Sequence, residues 1–175
     1  MEFLFRPIVH TSDEIEMGHA LWHYPVSGCD AVSATANANG FTPLTAIDRE
    51  LGWNRDVVVN AANACNSKQE VCVVSLSPVL FLVPATKGKG DALFLISDLV
   101  AATRVVNVKA LHMTHFGFIQ GNIPMPEIFT VLQYLLNNSC TLGLNRIVFD
   151  IDSRIQSSFY KLLAAGFSIP PSNKF

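Results

Sequence analysis

Residues 30–52 read DAVSATANANGFTPLTAIDRELG, Asp30 to Gly52, and contain a complete strand, loop and helix. Asp30–Ala36 is read as a strand, and Asn37-Ala38-Asn39-Gly40 after it is made of default turn residues. Thr42 is placed to cap a helix, Pro43 suits its first position, and Gly52 stops it after LTAIDREL. This unit sets the frame for the rest of the chain.

Toward the C-terminus the pattern repeats. A second helix is expected over about 55–65. Val71–Leu76 and Val79–Val83 are short apolar runs parted by Ser77-Pro78, a pair of strands. Asp91 follows Gly88-Lys89-Gly90 and caps a helix whose apolar stripe includes Leu93, Ile96 and Val100. Lys109–Phe116 is the next strand. Pro124 and Pro126 introduce a helix over Glu127–Asn138, striped by Ile128, Val131, Leu132, Leu135 and Leu136. Arg146–Ile151 is a further buried strand, and a last helix over roughly 153–165 ends at Gly166. Before the opening unit, Phe3–His10 and Ile15–Trp22 read as two more strands. Strands alternating with helices indicate a largely parallel sheet covered on both faces.

The chain has 175 residues, enough for one domain with its own core. Half of them are hydrophobic and 15% are charged; 12 basic against 14 acidic residues give a net charge of −2. That balance provides no electrostatic case for nucleic acid. Pro78 and Pro84, and the polar residues Gln133, Asn137, Asn138 and Ser139, break the charge-free spans 71–86 and 128–145, so neither is expected to cross a membrane. Glu2 and the lack of a sustained apolar run argue against a signal peptide, which points to the cytoplasm. Cys29, Cys65, Cys72 and Cys140 have no paired spacing and read as small buried residues, one bridge remaining open.

The stretch VVVNAAN, Val57–Asn63, has the letters of the signature of macro domains, a family that binds ADP-ribose and related nucleotides. In that family the signature strand runs into a ligand loop and a helix before the chain returns to the sheet. Here only the six residues Ala64–Gln69 come before the next strand, and a parallel return needs about a dozen. VVVNAAN therefore belongs to a helix, where its valines are disfavoured by only a few tenths of a kcal/mol each, roughly. DAVSATAN, Asp30–Asn37, resembles the family's D-A-[IV]-V-N-A-A-N, with Ala34 in place of the first asparagine and Asn37 as the last. KALHMTHFGFIQGNIP, Lys109–Pro124, resembles its strand and diphosphate loop, and RIVFDID its last core strand.

The order of elements and this resemblance, over most of residues 30–165, predict one macro-like domain spanning 1–175. It is a three-layer α/β/α fold with a mixed, largely parallel sheet of about six strands. The resemblance implies a site on two loops. Asn37, Asn39 and Gly40 follow one central strand; Gly117, Phe118, Gly121 and Asn122 follow another. Asn37 would contact a ribose, and the backbone over Gly117–Asn122 would cradle phosphates of an ADP-ribose-like or other phosphorylated small metabolite. Read from residue types alone, Asn and Gly in these loops are also the default residues of ordinary turns, a reading that the first loop fits as well as a pocket and the second fits less well. The first loop has one glycine where the family has several, and His19 stands where the family places an acidic residue against adenine. The opening run also resembles the N-terminal domain of leucine aminopeptidases, which has a macro-like fold without the catalytic metals. That resemblance implies an alternative role as a non-catalytic interaction or homo-oligomerisation module.

No catalytic set emerges from spacing. His112 and His115, three apart on a strand, point to opposite faces and cannot share a metal. ATKGKGD lacks the order of a P-loop. Asp150 and Asp152 are read as strand-end carboxylates, solvated or bordering the site. No metal and no cofactor is expected.

Overall fold

Ala31–Thr35 forms a strand with Val79–Val83 on one side and Ala110–Met113 on the other, both parallel to it. The computed structural model describes residues 2–8, 28–39, 42–84, 91–114, 130, 131, 134, 138 and 143–152. In chain order these hold β1 (Glu2–Ile8), β2 (Ala31–Thr35), α1 (Pro43–Leu51), α2 (Arg55–Lys68), β3 (Cys72–Val74), β4 (Val79–Val83), α3 (Asp91–Val106), β5 (Ala110–Met113) and β6 (Arg146–Asp152). Thr130, Val131, Tyr134 and Asn138 are helical, within the expected helix over Glu127–Asn138. The expected strand Ile15–Trp22, the last helix over 153–165 and the whole loop 115–122 lie outside the described residues.

The sheet has six strands in the order β1-β6-β5-β2-β4-β3. Every neighbouring pair is parallel except β3 with β4, which the short Ser75–Pro78 connection forces to be antiparallel. Alternate side chains divide the core in two. Val32, Ala34, Leu80 and Leu82 pack against Leu44 and Ile47 of α1 and Val58, Ala62 and Cys65 of α2. Ala31, Phe81, Val83, Leu111, Met113, Ile147 and Phe149 pack against Ile96, Leu99 and Val100 of α3, and against Val131. Helices therefore cover both faces, giving the three-layer α/β/α arrangement. The inner strands β2, β4 and β5 are largely apolar in both directions because helices cover both of their faces.

Local chemistry explains the helix ends. The Thr42 hydroxyl accepts the Thr45 N–H while the Thr45 hydroxyl accepts that of Thr42, a reciprocal cap before Pro43. Gly52 closes α1 in the left-handed region, at φ 63°. The Asn54 side chain accepts from the N–H groups of Asp56 and Val57 and starts α2. VVVNAAN lies wholly inside this helix, as loop length required. Its sheet-facing stripe is Val58, Ala62 and Cys65, while Val57 is 45% exposed. β3 is shorter than Val71–Leu76 because it is an edge strand and Val73, one of its three residues, turns to solvent. Among the described residues no helix is long and apolar enough to cross a membrane.

This arrangement separates two adjacent valines. Val57→Ala should be neutral or stabilising by about 0.5 kcal/mol, since alanine is the better helix former. Val58→Ala should cost about 2 kcal/mol through lost burial and a cavity. Urea unfolding of both variants checks this; a comparable loss at Val57 would contradict the helix.

Candidate functional site

β2 and β5 are parallel neighbours, so the chain leaves both from the same edge of the sheet. Thr114, directly after β5, donates its N–H and its hydroxyl to the Ser33 carbonyl at 3.1 and 2.7 Å. The loop after β2 and the segment entering 115–122 therefore start side by side. Of the expected second-loop residues, Gly117, Phe118, Gly121 and Asn122 lie outside the described residues, as does Gly40 of the first. Asn37 and Asn39 are described, and both are exposed.

Four bonds hold the first loop. The Ala36 N–H donates to the Val83 carbonyl at 2.8 Å, extending the pairing of β2 with β4 by one residue. The Ala36 carbonyl accepts Nδ2 of Asn66, on α2, at 2.6 Å. The Asn37 carbonyl accepts the Thr42 hydroxyl at 2.6 Å, tying the loop to the start of α1. Arg55 reaches the Ala38 carbonyl at 3.2 Å while its other terminal nitrogen lies 3.6 Å from Asp48 Oδ2. Within the loop, Oδ1 of Asn37 accepts the Asn39 N–H at 3.1 Å. That bond fixes the carboxamide and directs its hydrogen-bonding capacity toward Nδ2, a donor. The described loop residues Ala36–Asn39 and Thr42 carry no titratable side chain. This part of the site can bind through amides and backbone; it supplies no acid or base.

Two acidic residues take roles that the sequence reading did not give them. Asp150 is no solvated strand end: β6 runs on to Asp152, and Asp150 is fully buried with Oδ1 3.0 Å from Nε2 of the equally buried His112. The register places His112 beside Val32 and Val148, on the sheet face that α1 and α2 cover. Asp30 lies at the opposite edge of the sheet, where its carboxylate accepts the N–H groups of Lys109 and Ala110 at 3.3 and 2.9 Å. Its contribution to DAVSATAN is to strand register. His115 is outside the described residues, among which no group of three or more His, Cys, Asp or Glu side chains could hold a metal.

No protein-family model matches this sequence, and no curated protein matches it. Solved structures do. The macro domain of ganglioside induced differentiation associated protein 2 superposes with a TM-score of 0.65 at 10% identity, over 96% of this chain and 86% of that one. The fold is that of a macrodomain. The macrodomain of Thermus aquaticus DarG gives a TM-score of 0.55 at 16% identity, over 86% of this chain and 99% of that one. The macrodomain of Mycobacterium tuberculosis DarG gives 0.55 at 14%, over 83% and 97%. In open α/β sheets generally, ligands bind outside the carboxyl ends of strands, and β2 and β5 both end at that edge.

Asn66 and Arg55 were not singled out in the sequence, although both hold the loop. A signal for Asn66 was present. It follows Ala62 by four positions, which puts a polar side chain on the sheet-facing stripe of α2. Asn66→Ala leaves the buried Ala36 carbonyl without this donor and should cost about 1–2 kcal/mol, with faster amide exchange at Asn37 and Asn39. Asn63→Ala, at an exposed position of the same helix, should stay within about 0.5 kcal/mol. Equal effects in denaturant melts would dissociate Asn66 from the loop.

Proposed function

We propose that this chain is a single cytoplasmic domain that binds an ADP-ribose-like or other phosphorylated small metabolite. Asn37 contacts a ribose, Asn39 and Gly40 flank it, and the backbone around Gly117, Phe118, Gly121 and Asn122 cradles the phosphates. The observation that supports this reading is the anchored loop at the shared end of β2 and β5, which holds an exposed Asn37 carboxamide in a macrodomain-like fold. Glycine-rich backbone at such an edge suits phosphate because its N–H groups can converge on an anion. Binding, not turnover, is the function proposed. Carboxamides orient a sugar by hydrogen bonds, and hydrolysis at a ribose carbon would further require a water held by Asn37.

Thermal shift with ADP-ribose tests the proposal. Ligand at 100-fold over its Kd should stabilise the protein by about 2.7 kcal/mol. Asn37→Ala should weaken binding by about 1 kcal/mol, roughly fivefold, without a comparable loss of stability in the free protein. An unchanged melting temperature at millimolar ADP-ribose would overturn it.

A further inference from the structure

Two thiols meet where the C-terminal end of α2 passes into the edge strand β3. Cys65, in the last turn of α2, is fully buried; Cys72 opens the edge strand β3 and is half-buried. Both donate to one acceptor, the Glu70 carbonyl, at 3.1 Å from Cys65 Sγ and 3.6 Å from Cys72 Sγ. Cys65 Sγ is also 3.4 Å from the Leu82 carbonyl, and Leu82 is the cross-strand partner of Cys72. The two sulfurs therefore share a carbonyl and a cross-strand neighbour, inside one apolar cluster. Burial pushes the Cys65 thiol up to about 12, and the Cys72 thiol beside it adds to the shift. Cys65 is thus protonated at neutral pH, which leaves the more accessible Cys72 as the thiol that meets an oxidant first.

We infer that Cys65 and Cys72 are a redox modification site, closed to an intramolecular disulfide by a hydroperoxide. The Cys72 thiolate attacks one peroxide oxygen, forming the S–O bond of a sulfenic acid as the O–O bond breaks, and the hydroxide released takes up the proton lost from the Cys72 thiol and leaves as water. Cys65 sulfur then attacks the sulfenic sulfur, forming the S–S bond; the displaced hydroxide takes the Cys65 proton and departs as a second water. Two thiols lose two electrons in total and one peroxide gains them. The bond joins the end of α2 to the start of β3, across the turn at Gln69 and Glu70.

The sequence makes the product easy to read. Trypsin cuts after Arg55, Lys68 and Lys87, so Cys65 and Cys72 fall on separate peptides, 56–68 and 69–87. The reduced full chain is treated with hydrogen peroxide, alkylated under denaturing conditions, digested without reductant and analysed by mass spectrometry. The expected result is peptide 56–68 joined to 69–87 in monomeric protein, two of the four thiols consumed, and full reversal by dithiothreitol. Cys72→Ser, at the half-buried position, should leave Cys65 alkylatable, and Cys65→Ser should leave Cys72 as a sulfenic acid trapped by dimedone. Joining of either peptide to one carrying Cys29 or Cys140 would overturn the assignment. So would a link found only in a covalent dimer, or a Cys72 sulfenic acid that persists in the unsubstituted chain.

Discussion

The register of β2 between its two parallel neighbours is the constraint on which the rest of the structure depends. Asp30 sets it from one end. Its carboxylate accepts the backbone N–H groups of Lys109 and Ala110, its own N–H donates to Ala110, and its carbonyl accepts from Val79. One residue thereby ties the beginnings of three strands together. A slip of a single position would turn every inward side chain to the opposite face, exchanging the two apolar clusters. With the beginnings aligned, β2 and β5 also end together, and Thr114 locks that end through the Ser33 carbonyl. The candidate site follows from register before any single side chain is considered.

Above this frame, polar bonds are few and each has a distinct task. The bonds from Asn66, Thr42 and Arg55 to the backbone of the first loop take up carbonyls that strand pairing leaves free beyond Thr35. They come from both helices on one face, so packing of α1 and α2 against the sheet also shapes the loop. The buried His112–Asp150 pair on the same face is of another kind. Such pairs add little net stability over an apolar substitute, but removing one partner leaves a costly group in the core. The pair therefore favours the β5–β6 pairing over other strand orders.

Much of the fold was legible because its signals are local. Thr42, Pro43 and Gly52 announce α1 within eleven residues, and the structure bears out each of them. Chain length between elements decided VVVNAAN: six residues cannot cross back over a sheet, so the valines went to a helix despite their letters. The site was legible only where it coincides with a turn pattern. Asn37 and Asn39 were chosen as loop residues and lie in the loop. Asn66 was not, because its acceptor is 30 positions away and the bond exists only after α2 has docked. Asp150 was misplaced for a related reason. Its partner is 38 positions off, on a strand brought alongside only by the sheet order, and β6 continues two residues past it.

In the proposed function, ligand is taken up at the edge where β2 and β5 end. Amide chemical-shift mapping during titration with ADP-ribose tests it directly, because both edges of the sheet carry assignable backbone groups. The expected result is that the largest changes fall on Ala36–Thr42 and on residues 115–122, with Asp30, Lys109 and Asn145 at the opposite edge unmoved. Changes centred on Asp30, Lys109 and Asn145, or none at saturating ligand, would contradict it.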